Sequence, residues 1–83
     1  MTKELTIGLL NMANKENLLH MLFGRLISSD TLTNADDCKN SIDLLEKFKE
    51  AIPDTEIEDK DKWLSFIDDG LEIVRSDLEN FEK

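Results

Sequence analysis

Two side chains in this sequence have the chemistry of a catalytic nucleophile and its base, and each occurs once. Cys38 is the only cysteine and His20 is the only histidine among the 83 residues. A Cys–His pair acts as a nucleophile and base only when the imidazole lies within hydrogen-bond reach of the sulfur. No feature of the sequence predicts that contact, and a lone histidine cannot build a metal cluster by itself. We therefore predict no catalytic residue, no metal site and no cofactor, and we expect that the protein is not an enzyme.

The acidic segment after Pro53 carries enough carboxylates to be tested as a calcium loop. An EF-hand needs Asp or Asn at positions three and five, Gly at position six and Glu at position twelve. Counted from Asp54, position six is Asp59 and position twelve is Ser65. Counted from Asp59, position five is Trp63. Both registers fail, and the sequence also contains no Walker loop, dinucleotide-binding glycine pattern or nucleophile elbow.

Charge is unevenly distributed along the chain. The sequence has 19 acidic and 10 basic residues, a net charge of −9. Residues 1–32 are neutral overall, whereas residues 54–83 carry eleven acids and only four bases. Nucleic-acid phosphates select Lys and Arg, so we expect no direct binding to nucleic acid. The charge favours a basic protein partner, or mimicry of nucleic acid itself.

Targeting signals are missing from the sequence. Met1 is followed by polar and charged residues, which do not form a signal peptide. No apolar run approaches the roughly 20 residues that span a membrane. The unpaired Cys38 suits a reducing compartment. We therefore expect a soluble, cytoplasmic protein that does not contact membranes.

Apolar residues recur at helical spacing throughout, and strict alternation is absent, so the predicted fold is all-α. We predict one domain, a small three- to four-helix bundle, with helices over 34–52 and 59–82. Residues 3–28 form either one bent helix or two, the second of them capped by Asn14. Residues 28–32 are typical of a turn. A capping box over Thr33–Asp36 begins the third helix, Pro53 stops it, and Asp59 caps the fourth.

The last helix has the clearest pattern. Its apolar residues follow a spacing of three and four: Leu64, Ile67, Leu71, Val74, Leu78 and Phe81. The third helix has a matching stripe, in which Lys49 takes one position: Ala35, Cys38, Ile42, Leu45 and Ile52. A short connection between two such helices predicts a C-terminal antiparallel hairpin. On the first helix, Leu5, Leu9 and Met12 share a face.

Candidate binding residues lie beside this stripe. The fourth helix has an acidic surface whose only base is Arg75; its acids are Asp68, Asp69, Glu72 and Glu79. This surface is either merely solvated or an electrostatic docking face. Its flank consists of Phe66, Gly70 and Ile73, where a glycine between large side chains lets a backbone come close. The flank is either an internal contact with the first two helices or a partner surface. Met21, predicted to face away from the core, is a further candidate contact.

In size, charge and helical content the chain is similar to acyl carrier proteins and to nuclease-colicin immunity proteins. Carrier proteins attach phosphopantetheine to the serine of an Asp-Ser-Leu motif at a helix start. The nearest match here is Asn40-Ser41-Ile42, which lies inside a predicted helix with no preceding aspartate. The Tyr-Tyr motif of the immunity proteins has no counterpart, because the chain contains no tyrosine.

We therefore predict a small acidic regulator that is not an enzyme and that binds and modulates or inhibits a larger basic protein. Inhibitors, immunity proteins and phage-encoded host modulators act in this way. Three alternatives stay open: a nucleic-acid mimic that occupies a DNA-binding surface, a structural homo-oligomer such as a homodimer, and, most distantly, a carrier protein.

Overall fold

The computed structural model describes residues 2–28 and 30–83, and in this part of the chain it contains four α-helices and no strand. The helices are α1 (Lys3–Met12), α2 (Glu16–Ile27), α3 (Ala35–Ala51) and α4 (Lys60–Glu82), and a 3₁₀ turn, Ile52–Asp54, follows α3. The predicted all-α bundle is confirmed. Ser29, part of the predicted turn, lies outside the described residues; around it, the Thr31 and Leu32 amides donate to the Ser28 carbonyl.

The first third forms two helices rather than one bent helix. The residue before α2 is Lys15, which is extended and makes no side-chain cap, so the predicted cap at Asn14 is wrong. Instead the Asn14 amide donates to the Glu56 carbonyl at 3.2 Å, and the Asn11 side chain accepts the Glu56 N–H at 2.9 Å. The two asparagines therefore hold the link between α3 and α4 against the α1–α2 corner.

The start of α3 is one residue later than predicted. Asn34 is the capping residue and accepts the Asp37 N–H at 2.9 Å. The Asp37 carboxylate in turn accepts the Thr33 N–H at 3.1 Å and the Thr33 hydroxyl at 2.8 Å. The capping box thus uses Asp37 and not Asp36. Before α4, Asp59 adopts a left-handed conformation (φ 55°, ψ 46°) and makes no cap bond, a backbone geometry that Asp tolerates better than most residues.

Helices α3 and α4 form the predicted antiparallel hairpin. Lys49 pairs with Asp68 at 2.6 Å, and the earlier Glu46 pairs with the later Arg75 at 2.8 Å, so the two chains run in opposite directions. Ile67, Leu71 and Val74 of the α4 stripe are buried, Leu64 and Leu78 are half-buried, and Phe81 is exposed.

Cys38, Leu45 and Ile52 of the predicted stripe are fully buried, but Ser41 and Phe48 are buried in place of Ile42 and Lys49. The buried residues within α3 are Cys38, Ser41, Leu45, Phe48 and Ala51. Ile42 is only half-buried, and Lys49 lies outside the core, because Phe48 takes the heptad position that the sequence had assigned to the lysine. A spacing of three and four continues from Cys38 through Ser41, so the correct register contains one small polar residue.

Helix α2 packs against both helices of the hairpin. Phe23 is fully buried, and its ring centre lies 5.5 Å from that of Phe48 and 5.8 Å from that of Trp63. About one turn further along α2, the Ile27 side chain lies directly over Gly70, where an added Cβ would overlap it. Gly70 is therefore the position at which α4 lets another helix approach.

Helix α1 packs on α3 and the 3₁₀ turn. Thr6 and Leu10 are buried, and the Thr6 hydroxyl is satisfied by the Thr2 carbonyl at 2.9 Å. Leu5, Leu9 and Met12 share a face as predicted, but that face is turned to solvent, with Leu5 65% and Met12 84% exposed.

The contact between Ile27 and Gly70 predicts a reversal in a double-mutant cycle. Gly70→Ala gains about 0.5–1 kcal/mol of helix propensity but overpacks Ile27 at a cost of about 1–3 kcal/mol, so it destabilises the fold. In an Ile27→Ala background the same change stabilises. Gly24→Ala, whose Cβ meets no atom within 4 Å, stabilises in both backgrounds. Urea unfolding followed by Trp63 fluorescence measures the wild type and the five variants. A destabilising Gly70→Ala in both backgrounds contradicts the contact.

The ion pair between Lys3 and Asp54 (2.8 Å) predicts a pH-dependent contribution. The hydrogen bond that Lys3 donates to Asp54 lowers the pKa of Asp54 below its ordinary 3.8. The same bond raises the pKa of Lys3 above its ordinary 10.5. A carboxyl group whose pKa is lower in the folded state stabilises the fold at pH values above its ordinary pKa. That stabilisation is lost as the pH falls through the pKa of the folded state. At neutral pH the wild type should therefore have a higher melting temperature than Asp54→Asn, and this difference should disappear well below pH 3.8. A difference that persists in strong acid contradicts the pair.

Candidate partner-binding surfaces

The predicted acidic surface lies on the outer side of α4, and all four of its residues are exposed: Asp68, Asp69, Glu72 and Glu79. Asp68 is neutralised by Lys49 of α3. Among residues 2–28 and 30–83, Asp69, Glu72 and Glu79 make no ion pair. Their charges are therefore available to solvent or to a partner.

An open groove of about 680 Å³ runs between α3 and α4 beside these acids. Its lining residues come from both helices of the hairpin: Glu46, Lys49, Glu50, Asp68, Leu71, Glu72 and Arg75. Four carboxylates against two bases leave it net negative. The two ion pairs cross the groove and hold its walls, whereas Glu50 and Glu72 have no described ion-pair partner.

The acidic row of α4 extends further than the sequence reading placed it. Helical geometry at 100° per residue puts Asp61, Asp68, Glu72 and Glu79 within about 40° of one another. The row of these four residues covers about 27 Å along the axis, from a rise of about 1.5 Å per residue. Asp61 is exposed and was missed, although its spacing of seven from Asp68 is visible in the sequence.

The flank of Phe66, Gly70 and Ile73 does not form one continuous surface. Phe66 is half-buried, and its ring centre lies 5.2 Å from that of His20 and 5.8 Å from that of Trp63. Gly70 is buried under Ile27. For these two residues the internal contact with α2 is what the structure shows. Ile73 alone stays accessible, at 50% exposure.

Met21 is exposed, at 62%, and it belongs to a larger set of exposed apolar residues. In α1 and α2 the other members of the set are Leu5, Leu9, Met12 and Leu18. Three of them, Leu5, Leu9 and Met12, form the shared face of α1 that the sequence predicted.

The two residues that could act as a nucleophile and its base, Cys38 and His20, do not lie together. Cys38 is fully buried, and its burial, followed by the nearby Asp77 and Asp37, raises the pKa of the thiol. His20 contacts Trp63 and Phe66, near the other end of α4. Within the described residues, no three His, Cys, Asp or Glu side chains converge as a metal site requires.

A smaller polar pocket of about 280 Å³ lies where the α1–α2 corner meets the start of α4. Lys62 crosses it, pairing with Glu16 at 2.7 Å and lying 5.0 Å from the centre of the Trp63 ring. The bond from Lys62 lowers the pKa of Glu16. These contacts tie α2 to α4, which gives the pocket a structural role.

Comparisons with known proteins assign no function to these surfaces. The chain matches no protein family, no curated protein and no solved structure with which it was compared. None of the helices in the described ranges combines the length and apolar character that a membrane crossing requires.

Burial of Cys38 predicts a protected thiol. A thiol reagent reacts with the thiolate. The raised pKa makes the thiolate scarce, and the surrounding core keeps the reagent away from the sulfur. We expect modification of the native protein to be at least about 100-fold slower than in urea, because it requires opening of the α3–α4 core. Absorbance of released thionitrobenzoate measures both rates. Equal rates would show that Cys38 is accessible.

Proposed function

We propose that this protein is a small acidic regulator, not an enzyme, that binds a larger basic protein through α4 and blocks or modulates it. The observation that carries the proposal is the exposed acidic row Asp61, Asp68, Glu72 and Glu79, together with the groove beside it. Only Asp68 of the row has a described ion-pair partner. Inhibitors, immunity proteins and phage host modulators are the classes of regulator that fit this proposal.

The rigidity of α4 supports a docking role. The helix is 23 residues long and buries its opposite side against α3 and α2 through Trp63, Ile67, Leu71 and Val74. Its carboxylates therefore project from a fixed backbone, and a partner would spend little entropy in ordering it. Complementary charge would mainly raise the association rate and select the partner.

Charge density favours a basic protein over a DNA-binding surface as the target. Duplex DNA carries one phosphate per about 3.4 Å on each strand, or about eight over the length of the acidic row. The row has four carboxylates, one of them paired with Lys49. Half the density of a single strand supports recognition of scattered lysines and arginines better than imitation of a duplex.

Charge reversal at Glu72 should weaken partner binding without unfolding the protein. Glu72→Lys places a cation beside Arg75 on the exposed wall of the groove, where it repels a basic partner. We expect retention from a lysate of the source cells to fall at least about tenfold. The matched control is Glu4→Lys, the same change on α1, which should retain the partner as the wild type does.

The measurement is quantitative mass spectrometry of proteins retained by immobilised wild type and both variants, at about 50 mM and about 500 mM salt. A specific basic protein that is retained at low salt and lost by Glu72→Lys supports the proposal. No specific protein at low salt, or equal loss with Glu4→Lys, contradicts it.

A further inference from the structure

Helix α1 is apolar on two opposite sides, and the fold covers only one of them. Leu10 is fully buried, whereas Leu5 and Met12 point about 140–160° away from it on the helical wheel. A helix that is apolar all round normally lies in an interior. Seven large apolar side chains are exposed in the described residues, and five of them lie in α1 and α2: Leu5, Leu9, Met12, Leu18 and Met21.

This surface is electrically unlike the rest of the molecule. Between Leu5 and Met12 the sequence contains no charged residue, and residues 1–32 as a whole are neutral. The remaining chain carries the entire net charge of −9. A basic partner would find no complementary charge here. Two copies of the chain, by contrast, could meet at this surface without bringing their acidic rows together.

The outer face of α1 is also complementary to itself. Leu5 and Met12 are equally distant from the midpoint of the Gly8–Leu9 pair. When two such helices cross antiparallel about that midpoint, Leu5 of each copy meets Met12 of the other, and Leu9 meets Gly8. No atom lies within 4 Å of a Cβ position at Gly8, so the glycine leaves an open hollow for the opposing leucine. Such pairing of one patch with itself is the isologous geometry of a two-fold dimer.

We propose that a second copy of this chain covers α1, forming a closed antiparallel dimer centred on Gly8 and Leu9. A standard interface buries about 800 Å² per partner, against a total surface of 5379 Å² for this chain. Helix α1 is only about 15 Å long, so it supplies only part of that area. The dimer is therefore weak, with Kd on the order of 10–100 μM.

Sedimentation equilibrium from about 5 to about 500 μM tests the proposal at low and high salt. The wild type should dimerise, and more strongly at high salt, because screening reduces repulsion between two acidic molecules. Met12→Glu should weaken dimerisation at least about tenfold, since it buries a charge against the apolar Leu5 of the other copy. Ile73→Glu, a matched change at an exposed apolar residue of α4, should dimerise like the wild type.

A wild type that stays monomeric at about 500 μM in both salts overturns the proposal, as do assemblies larger than a dimer. Equal weakening by Ile73→Glu and Met12→Glu overturns the assignment to α1. The salt response separates this inference from the proposed function, because binding of a basic partner weakens as salt rises whereas this contact strengthens.

Cross-linking tests the antiparallel register and stays informative if Met12→Glu fails to fold. The Leu5→Cys and Met12→Cys variants are oxidised with diamide separately and as a mixture, while the native Cys38 is buried and does not interfere. The mixture should give the disulfide-linked heterodimer, identified by its mass, at least about tenfold more than either variant gives its homodimer. Equal yield from Leu5→Cys alone, or no cross-link in the mixture, overturns the register.

Discussion

The packing of α2 on the α3–α4 hairpin is the contact on which the rest of this fold depends. The Phe23 ring lies within 6.4 Å of three other rings, from Phe48, Trp63 and Phe66. The Phe23–Phe48 pair is edge-on, a geometry that adds about 0.5–1.5 kcal/mol beyond the area buried. About one turn further along α2, at its last residue, Ile27 packs over Gly70, which has no side chain. Two separated contacts fix the orientation of α2, and through the short corner at residues 13–15 they direct α1 onto α3.

The hairpin could be predicted from sequence, whereas its partners could not be placed fully. Ile67, Leu71 and Val74 are each followed by a charged residue, which limits the face of α4 that can be buried. In α3, by contrast, Ile42 and Leu44 broaden the apolar face, and spacing alone could not choose the register that buries Ser41 and Phe48. In α1 the pattern favoured Leu5, Leu9 and Met12 as strongly as the residues that are buried, because both sides are apolar.

The candidate site was predicted in part, for similar reasons. The acids of α4 are exposed because charged side chains remain in water unless paired, which helical spacing alone indicates. The pairing of Asp68 with Lys49 depends on how α3 and α4 align, and the alignment follows from core packing. The roles of Asn11 and Asn14 depend on a loop distant in sequence, which no local capping rule can anticipate.

The molecule thus separates two kinds of surface, a neutral apolar one on α1 and α2 and an acidic one on α4. The proposed regulator function rests on the acidic surface, and its most direct test is the association rate with the captured partner as a function of ionic strength. The account predicts a fall of at least about tenfold between low and high salt, as electrostatic steering is screened, with a smaller change in the dissociation rate. An association rate that is independent of salt would contradict it.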